Sequence, residues 1–294
     1  MLTANKNKIK QGKVAGFAYQ EIGQGPQTVL MLHGWQDNSN SFMPILDSLS
    51  DKVLQTHRFI ALDFAGHGKS AWRSADAHYY FVEYVYDILS FLRAMEIARC
   101  DIVGHSMGAL VGGLFTSLYA EKVNTLTLID GIGLLYQSDK NAKQQLLQAF
   151  AARDASEQFN NTTKRLFADK QAIIKARVKV SDFSEEIAAI LMERNIEVLE
   201  EGARLTTDPK LKLPSTTRFS RAQAHSLLQD TETPTLAIMG TSGYAQMKHS
   251  LQQFSQCFKE FTCVEVAGGH HCHMEEPEQV LAKILTHMTH PGVS

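Results

Sequence analysis

Long apolar runs are what this chain most plainly lacks. None of its 294 residues lie in a stretch approaching the ~18–20 apolar residues that a membrane span needs. The most apolar stretch, residues 102–115, is interrupted by His105 and Ser106. No membrane-spanning helix is expected. An excess of one charge is missing too: 29 Lys and Arg stand against 31 Asp and Glu. That balance excludes the basic footprint of a dedicated nucleic-acid binder. Cysteine is scarce, with Cys100, Cys257, Cys263 and Cys272 at irregular spacing. They make no disulfide framework in a chain of this length. The start, MLTANKNKIKQGK, is basic with no apolar region behind it, and the end, HPGVS, matches no prenylation or peroxisomal address. The expectation is a soluble, cytoplasmic protein of a reducing compartment.

Apolar residues as such are plentiful. They make up 44% of the chain against 20% charged, which excludes global disorder and supplies one large α/β domain or two small ones. Glycine then divides the chain. Of 19 glycines, only Gly202 lies between residues 134 and 239. Residues 139–212, by contrast, hold 25 of the 60 charged residues. A glycine-poor, charge-rich block predicts exposed amphipathic helices, and the glycine-rich flanks predict strands joined by tight turns. The expected domains are a core of residues 1–133 and 230–294 and a helical cap of residues 134–229.

Within the flanks, short apolar runs alternate with segments of helical period. Strands are predicted at 28–32, 58–62, 101–103, 125–129, 235–239 and 261–266. Helices are predicted over 79–95, with Val82, Tyr84, Val85, Ile88, Leu89 and Leu92 on one face, and after Ser106, with Leu110, Val111, Leu114, Phe115 and Leu118. Continuous apolar strands separated by helices imply a parallel sheet covered on both faces. Lys13 to Gln27, with Gly23 and Gly25, reads as a hairpin entering that sheet. In such sheets the chemistry gathers beyond the carboxyl ends of the strands. The polar residues that follow each strand are therefore the candidates.

After Ile102-Val103 comes Gly104-His105-Ser106-Met107-Gly108, then a helical pattern. This is a G-x-S-x-G nucleophile elbow, a sharp turn that exposes the serine Oγ while the glycines let neighbouring backbones approach. A serine hydroxyl is a poor nucleophile at neutral pH and needs a general base. Gly268-Gly269-His270-His271-Cys272-His273 follows the last strand. His270 is the candidate base, His271 its nearest competitor, and His273 a supporting residue. Adjacent residues in one turn do not converge easily on a metal ion, and no second ligand cluster is evident, so no metal is expected. A carboxylate must orient the base. The chain after Met239 carries none, whereas Asp130 follows Ile129 at a strand end; Asp130 is the candidate acid, with a turn or helix-cap aspartate as the competing reading. Backbone N–H groups of Met107 and Trp35, in His33-Gly34-Trp35, are the candidate oxyanion donors. The loop from Asp63 to Ser70 fails the phosphate-loop pattern because Gly66 and Gly68 crowd Lys69, so it reads as a structural turn and no cofactor is expected.

In this order HGW, LDFAGHGKS, GHSMGA and GGHHCHMEEPE resemble the α/β-hydrolase fold superfamily. HGWQDNSNSF, LIDGIG and GGHH are similar to its serine hydrolase-like (kraken-type) branch. The resemblance covers roughly residues 13–133 and 230–290. It implies a mostly parallel eight-stranded sheet, a helical cap, and a Ser–His–acid triad. In many members the acid follows the strand after the cap, where this chain has Gly243; the position after the sixth strand, Asp130, is the known alternative. Ser106 disfavours the dehalogenase and epoxide-hydrolase chemistry that relies on an aspartate at the elbow. The expected activity is a cofactor-independent serine hydrolase cleaving a small or medium acyl ester or thioester. The alternatives are a carbon–carbon bond hydrolase on the same triad and a non-catalytic small-molecule receptor. Phe150, Phe167, Ile190, Leu191 and Met192 are candidates for an acyl pocket or for cap core.

Overall fold

The computed structural model describes residues 5–158, 166–181 and 183–290. Eight strands form the main sheet: β1 (Lys10–Val14), β2 (Phe17–Ile22), β3 (Gln27–Leu32), β4 (His57–Leu62), β5 (Cys100–His105), β6 (Val123–Ile129), β10 (Thr235–Gly240) and β11 (Phe261–Val266). Their spatial order is β1-β2-β4-β3-β5-β6-β10-β11. β2 pairs antiparallel with both β1 and β4, and every other pairing is parallel, so seven strands share one direction. This is the α/β-hydrolase architecture anticipated from the sequence.

The strands read as unbroken apolar runs because both faces of the sheet are covered. Successive side chains point to opposite faces, so one run feeds two cores. Leu30, Leu32, Ile60 and Ile102 pack with Ile88 and Leu92 of the Phe81–Ala94 helix and Val111 and Phe115 of the Met107–Leu118 helix. Val29, Met31, Phe59 and Val103 pack the other way, against Ile45, Leu46, Val280 and Ile284. Val82 and Leu118, expected on the buried faces of their helices, are instead exposed. Each lies within a turn of its helix end, where the curved sheet no longer covers it.

The entry hairpin is placed differently from the sequence reading. Its turn is Ala15-Gly16, both at positive φ (48° and 86°), which suits a two-residue hairpin loop between β1 and β2. Gly23 and Gly25 lie after β2, where the chain crosses the start of β4 on its way to β3. A Cβ on either would overlap backbone atoms at Thr56 or His57. These glycines allow close backbone approach, not a reversal.

Between β6 and β10 the chain forms helices Ala142–Gln158, Lys170–Val178 and Glu185–Met192. It also forms a small sheet that the helical expectation missed: β7 (Leu166–Phe167), β8 (Ile196–Leu199) and β9 (Gly202–Leu205), in the order β7-β9-β8. Gly202, the lone glycine of the block, opens β9 at φ 147°, directly after the tight connection from β8. Ile173, Ile174, Phe183, Leu191 and Ala203 give this region its own core. Polar bonds tie it to the main body: the Asn38 amide donates to the Leu191 carbonyl and the Asn40 amide to the Ile190 carbonyl, both at 2.8 Å, and Arg194 Nε donates to Asp63 Oδ2 at 2.8 Å with both side chains buried. Among the described residues no helix is long and apolar enough to cross a membrane. The four cysteines are free thiols, three of them buried.

Candidate active site

β5 ends at His105 and the next helix begins at Met107, so Ser106 alone makes the turn. It does so at φ 50°, ψ −116°, a conformation that costs a non-glycine residue on the order of 1–3 kcal/mol. The neighbourhood fixes it there. Ser106 N–H donates to the Ile129 carbonyl at 3.0 Å, and the Ser106 carbonyl accepts from Ala109 N–H at 3.0 Å and Leu110 N–H at 3.2 Å. The glycines of the pentapeptide have separate reasons. A Cβ on Gly104 would strike the Gly108 backbone, and one on Gly108 would strike the Leu32 carbonyl at the end of β3.

His270 reaches this serine from the turn after β11. Its Nε2 is 2.9 Å from Ser106 Oγ, and its Nδ1 is 2.5 Å from Asp130 Oδ2. A carboxylate only accepts, so Nδ1 carries the ring proton and Nε2 presents its lone pair to the hydroxyl. Asp130 is fully buried and stands at φ 40° directly after β6. Its N–H donates to the Ile238 carbonyl at 2.8 Å, and its Oδ1 accepts from Gly240 N–H at 3.2 Å. The carboxylate is thus held by the neighbouring strand while it meets the imidazole. Tyr244 covers the other side of His270, its ring centroid 4.5 Å from the imidazole.

The competing histidines point elsewhere. His271 Nε2 lies 3.3 Å from Asp37 Oδ2, and His273 Nε2 lies 2.7 Å from Ser41 Oγ. His273 is fully buried, and burial together with the neighbouring His271 holds its pKa well below the ordinary imidazole range.

Met107 follows Ser106 directly, and Trp35 lies in the loop after β3, the strand that pairs with β5. Met107 is the first residue of its helix, so its N–H precedes the helical ladder. Trp35 is half-exposed, which removes it from the core and leaves its backbone in the loop after β3. That loop is braced by His33, a residue whose role the sequence did not reveal. Its Nδ1–H donates to the Gly34 carbonyl at 2.7 Å, and its Nε2 accepts from Phe64 N–H at 3.0 Å, joining the loops after β3 and β4. Burial lowers its pKa, which keeps that acceptor nitrogen unprotonated. The Asp63–Ser70 turn is filled by its own aspartate: Asp63 accepts from Ser39 N–H at 2.8 Å and Lys69 N–H at 2.9 Å, besides Arg194.

A cavity of about 820 Å³ lies against the segment between β6 and β10 and is lined by neither Ser106 nor His270. Gln36, next to Trp35, forms part of its wall, with Phe167, Ile173, Met192 and Leu205 supplying apolar surface and Arg177 a charge. Of the pocket candidates read from the sequence, Phe167 and Met192 line it. Leu191 is buried in the core of the segment between β6 and β10, Ile190 packs between that segment and the main body, and Phe150 is exposed. One expectation is corrected here. A second set of possible metal ligands does join the C-terminal histidines, because Asp37 and His105 fold against His271 from distant parts of the chain.

The chain matches the family model described as the α/β hydrolase fold over residues 27–277. It is 31% identical to serine hydrolase-like protein 2 from Homo sapiens, covering 98% of this chain and 96% of that one. It is 29% identical to a serine hydrolase-like protein from Danio rerio, over 90% of this chain and 81% of the relative. Among solved structures, a hypothetical protein from Pseudomonas aeruginosa PAO1 superposes with a TM-score of 0.82 at 29% identity, covering 96% and 99% of the two chains.

Proposed function

The chain belongs to the α/β-hydrolase fold family, in its serine hydrolase-like branch, and from that premise we propose that it hydrolyses a small or medium acyl ester or thioester through an acyl-enzyme on Ser106. The observation that carries this reading is the unbroken chain from Ser106 Oγ through His270 to the buried Asp130 carboxylate, at 2.9 and 2.5 Å. In the proposed reaction His270 Nε2 takes the Ser106 proton as Oγ attacks the carbonyl carbon. The displaced electron pair settles on the carbonyl oxygen, which the Trp35 and Met107 amides hold. Collapse of this intermediate breaks the bond to the leaving group, and His270 returns its proton to that group. His270 then takes a proton from water as the water oxygen attacks the acyl carbon; the Oγ–acyl bond breaks, His270 returns the proton to Ser106 Oγ, and the carboxylic acid leaves. Asp130 keeps the imidazole in the working tautomer and offsets its charge at each proton transfer.

The acyl-size assignment rests on the cavity that begins at Gln36, beside the proposed Trp35 donor, although neither Ser106 nor His270 lines it. Phe167, Ile173, Val180, Met192, Leu205 and Leu213 give it enough apolar wall for a short hydrocarbon chain. The test is a panel of esters and thioesters of increasing acyl length, assayed with the wild type and Ser106→Ala. Turnover that the substitution removes supports the reading. Turnover that survives it, or none from the folded wild type across the panel, overturns it.

A further inference from the structure

Three donors meet behind the Ser106–His270 pair from three separate segments. Asp37 comes from the loop after β3, His105 from the last position of β5, and His271 from the turn after β11. Asp37 Oδ2 is 3.3 Å from His271 Nε2 and 3.9 Å from His105 Nδ1, and the three atoms lie within 4.8 Å of one another. All three residues are buried.

His105 carries the anomaly. Its Nε2 stands 2.8 Å from the His270 carbonyl oxygen, an acceptor, so the ring proton is on Nε2 and Nδ1 holds a lone pair. That Nδ1 has no hydrogen-bond partner among the described residues, and the nearest charged atom it faces is the Asp37 carboxylate, another electron-rich group. A buried acceptor in this position costs roughly 1–3 kcal/mol if nothing satisfies it. His105 Nδ1 turns its lone pair toward the Asp37 carboxylate, and a cation taken up between them would displace the proton that His271 Nε2 donates to Asp37 Oδ2, as ligation by a neutral imidazole requires. Gly34 lets the loop backbone come close to these donors: a Cβ there would stand 2.9 Å from Asp37 Oδ2 and 3.1 Å from His105 Nδ1, tighter than a side chain allows.

We propose that Asp37, His105 and His271 bind one divalent transition-metal ion of the zinc type, at a site that adjoins the serine and its base without including them. Two imidazoles and a carboxylate are zinc donors, whereas magnesium and calcium select oxygen-rich sets. Donors around a tetrahedral ion stand about 3.3 Å apart, so the Asp37–His271 pair is already at that spacing and His105 has a short inward movement to make. The other Asp37 oxygen is taken: Arg177 donates to Oδ1 at 2.7 Å, which orients the carboxylate and leaves Oδ2 for the ion. Three protein donors leave a fourth position for water.

The test uses the full chain, stripped by a chelator and titrated with zinc chloride and cobalt chloride in a calorimeter. One equivalent should bind, and the cobalt form should show the strong visible absorption of a four-coordinate ion. X-ray absorption of the zinc form should report imidazole and oxygen donors and no sulfur. His271→Gln and Asp37→Asn should each weaken binding at least about tenfold. His225→Gln, the histidine 3.7 Å from the Cys257 thiol, should leave it unchanged. Absence of saturable binding, sulfur donors in the zinc form, or undiminished binding in both ligand variants overturns the site. Near-ultraviolet circular dichroism checks that each variant is folded. If either is not, the donor set of the wild-type zinc form decides alone.

Discussion

The carboxylate of Asp130 fills the space that a side chain at position 243 would need: a Cβ on Gly243 would stand 2.7 Å from Asp130 Oδ1 and 2.9 Å from Oδ2. β6 and β10 are parallel neighbours, so the residues after their carboxyl ends reach the same point beside His270 Nδ1. Only one of them has room for an acid, and the glycine at the other is the consequence. Asp130→Asn should lower kcat by about 10⁴-fold, because an amide presents the wrong hydrogen-bonding groups to the imidazole. In the Asp130→Gly background, Gly243→Asp should restore part of the lost kcat by supplying the carboxylate from β10. An active Asp130→Asn enzyme, or no recovery in the double variant, would count against this reciprocity.

Ser106 is held at positive φ by its surroundings, so the strain is relieved when the residue tolerates that conformation. Ser106→Gly should raise unfolding stability by about 1 kcal/mol, the relief of strain less the extra chain entropy of glycine. Ser106→Ala, which keeps a Cβ, should not. Urea denaturation of the two variants separates these outcomes, and equal stabilities would remove the case for a strained turn.

The Arg194–Asp63 pair joins the segment between β6 and β10 to the turn after β4, with both side chains buried. Arg194→Met leaves a charged carboxylate in the interior with only its two backbone donors. The expected loss is about 3 kcal/mol, since breaking one side of a buried pair costs more than the pair contributes. Urea denaturation with hydrogen exchange across residues 185–205 measures the loss and locates the loosening. A change below about 1 kcal/mol would mean that the pair is dispensable.

Five buried histidines set the acid limit of the fold. Burial is the leading cause that lowers His33, His67, His105, His273 and His287, with His67 at about 3. In the unfolded chain each titrates near 6.5. Below that pH the unfolded chain binds protons that the folded chain refuses. Stability therefore falls on acidification, by up to about 1.4 kcal/mol per pH unit for each histidine. Asp87 and Asp101 oppose this. Burial raises both, Asp87 to about 6 against the pull of Arg73, so both favour the folded state on acidification, Asp87 as pH falls from about 6 toward 4. Five groups outweigh two, and the urea midpoint should be lower at pH 5.5 than at pH 7.5. An unchanged or higher midpoint would contradict this balance.

The legible parts of the molecule were those whose physics is local. Val29 to Leu32 read as a strand because a run buried on both faces has no polar position to interrupt it, and Ser106 stood out because its flanking glycines have steric reasons. Asp130 could be found by following each strand to its end. The rest depends on contacts between distant segments. Gly23 and Gly25 looked like a hairpin turn, but their function is to pass the start of β4, a strand they precede by some thirty residues. The short β8 and β9 strands pair only with each other and β7, so their burial is partial and the apolar alternation is weak. Asp37 and His105 carry no sequence sign that they meet His271, because nothing local requires it.

The most direct measurement is to treat the folded protein with a fluorophosphonate and locate the adduct by peptide mass spectrometry. The account predicts one adduct per chain, on Ser106, and its loss in a folded His270→Ala variant. A folded wild-type protein that forms no adduct, or forms it on a different residue, would contradict the assignment of Ser106 as a nucleophile activated by His270.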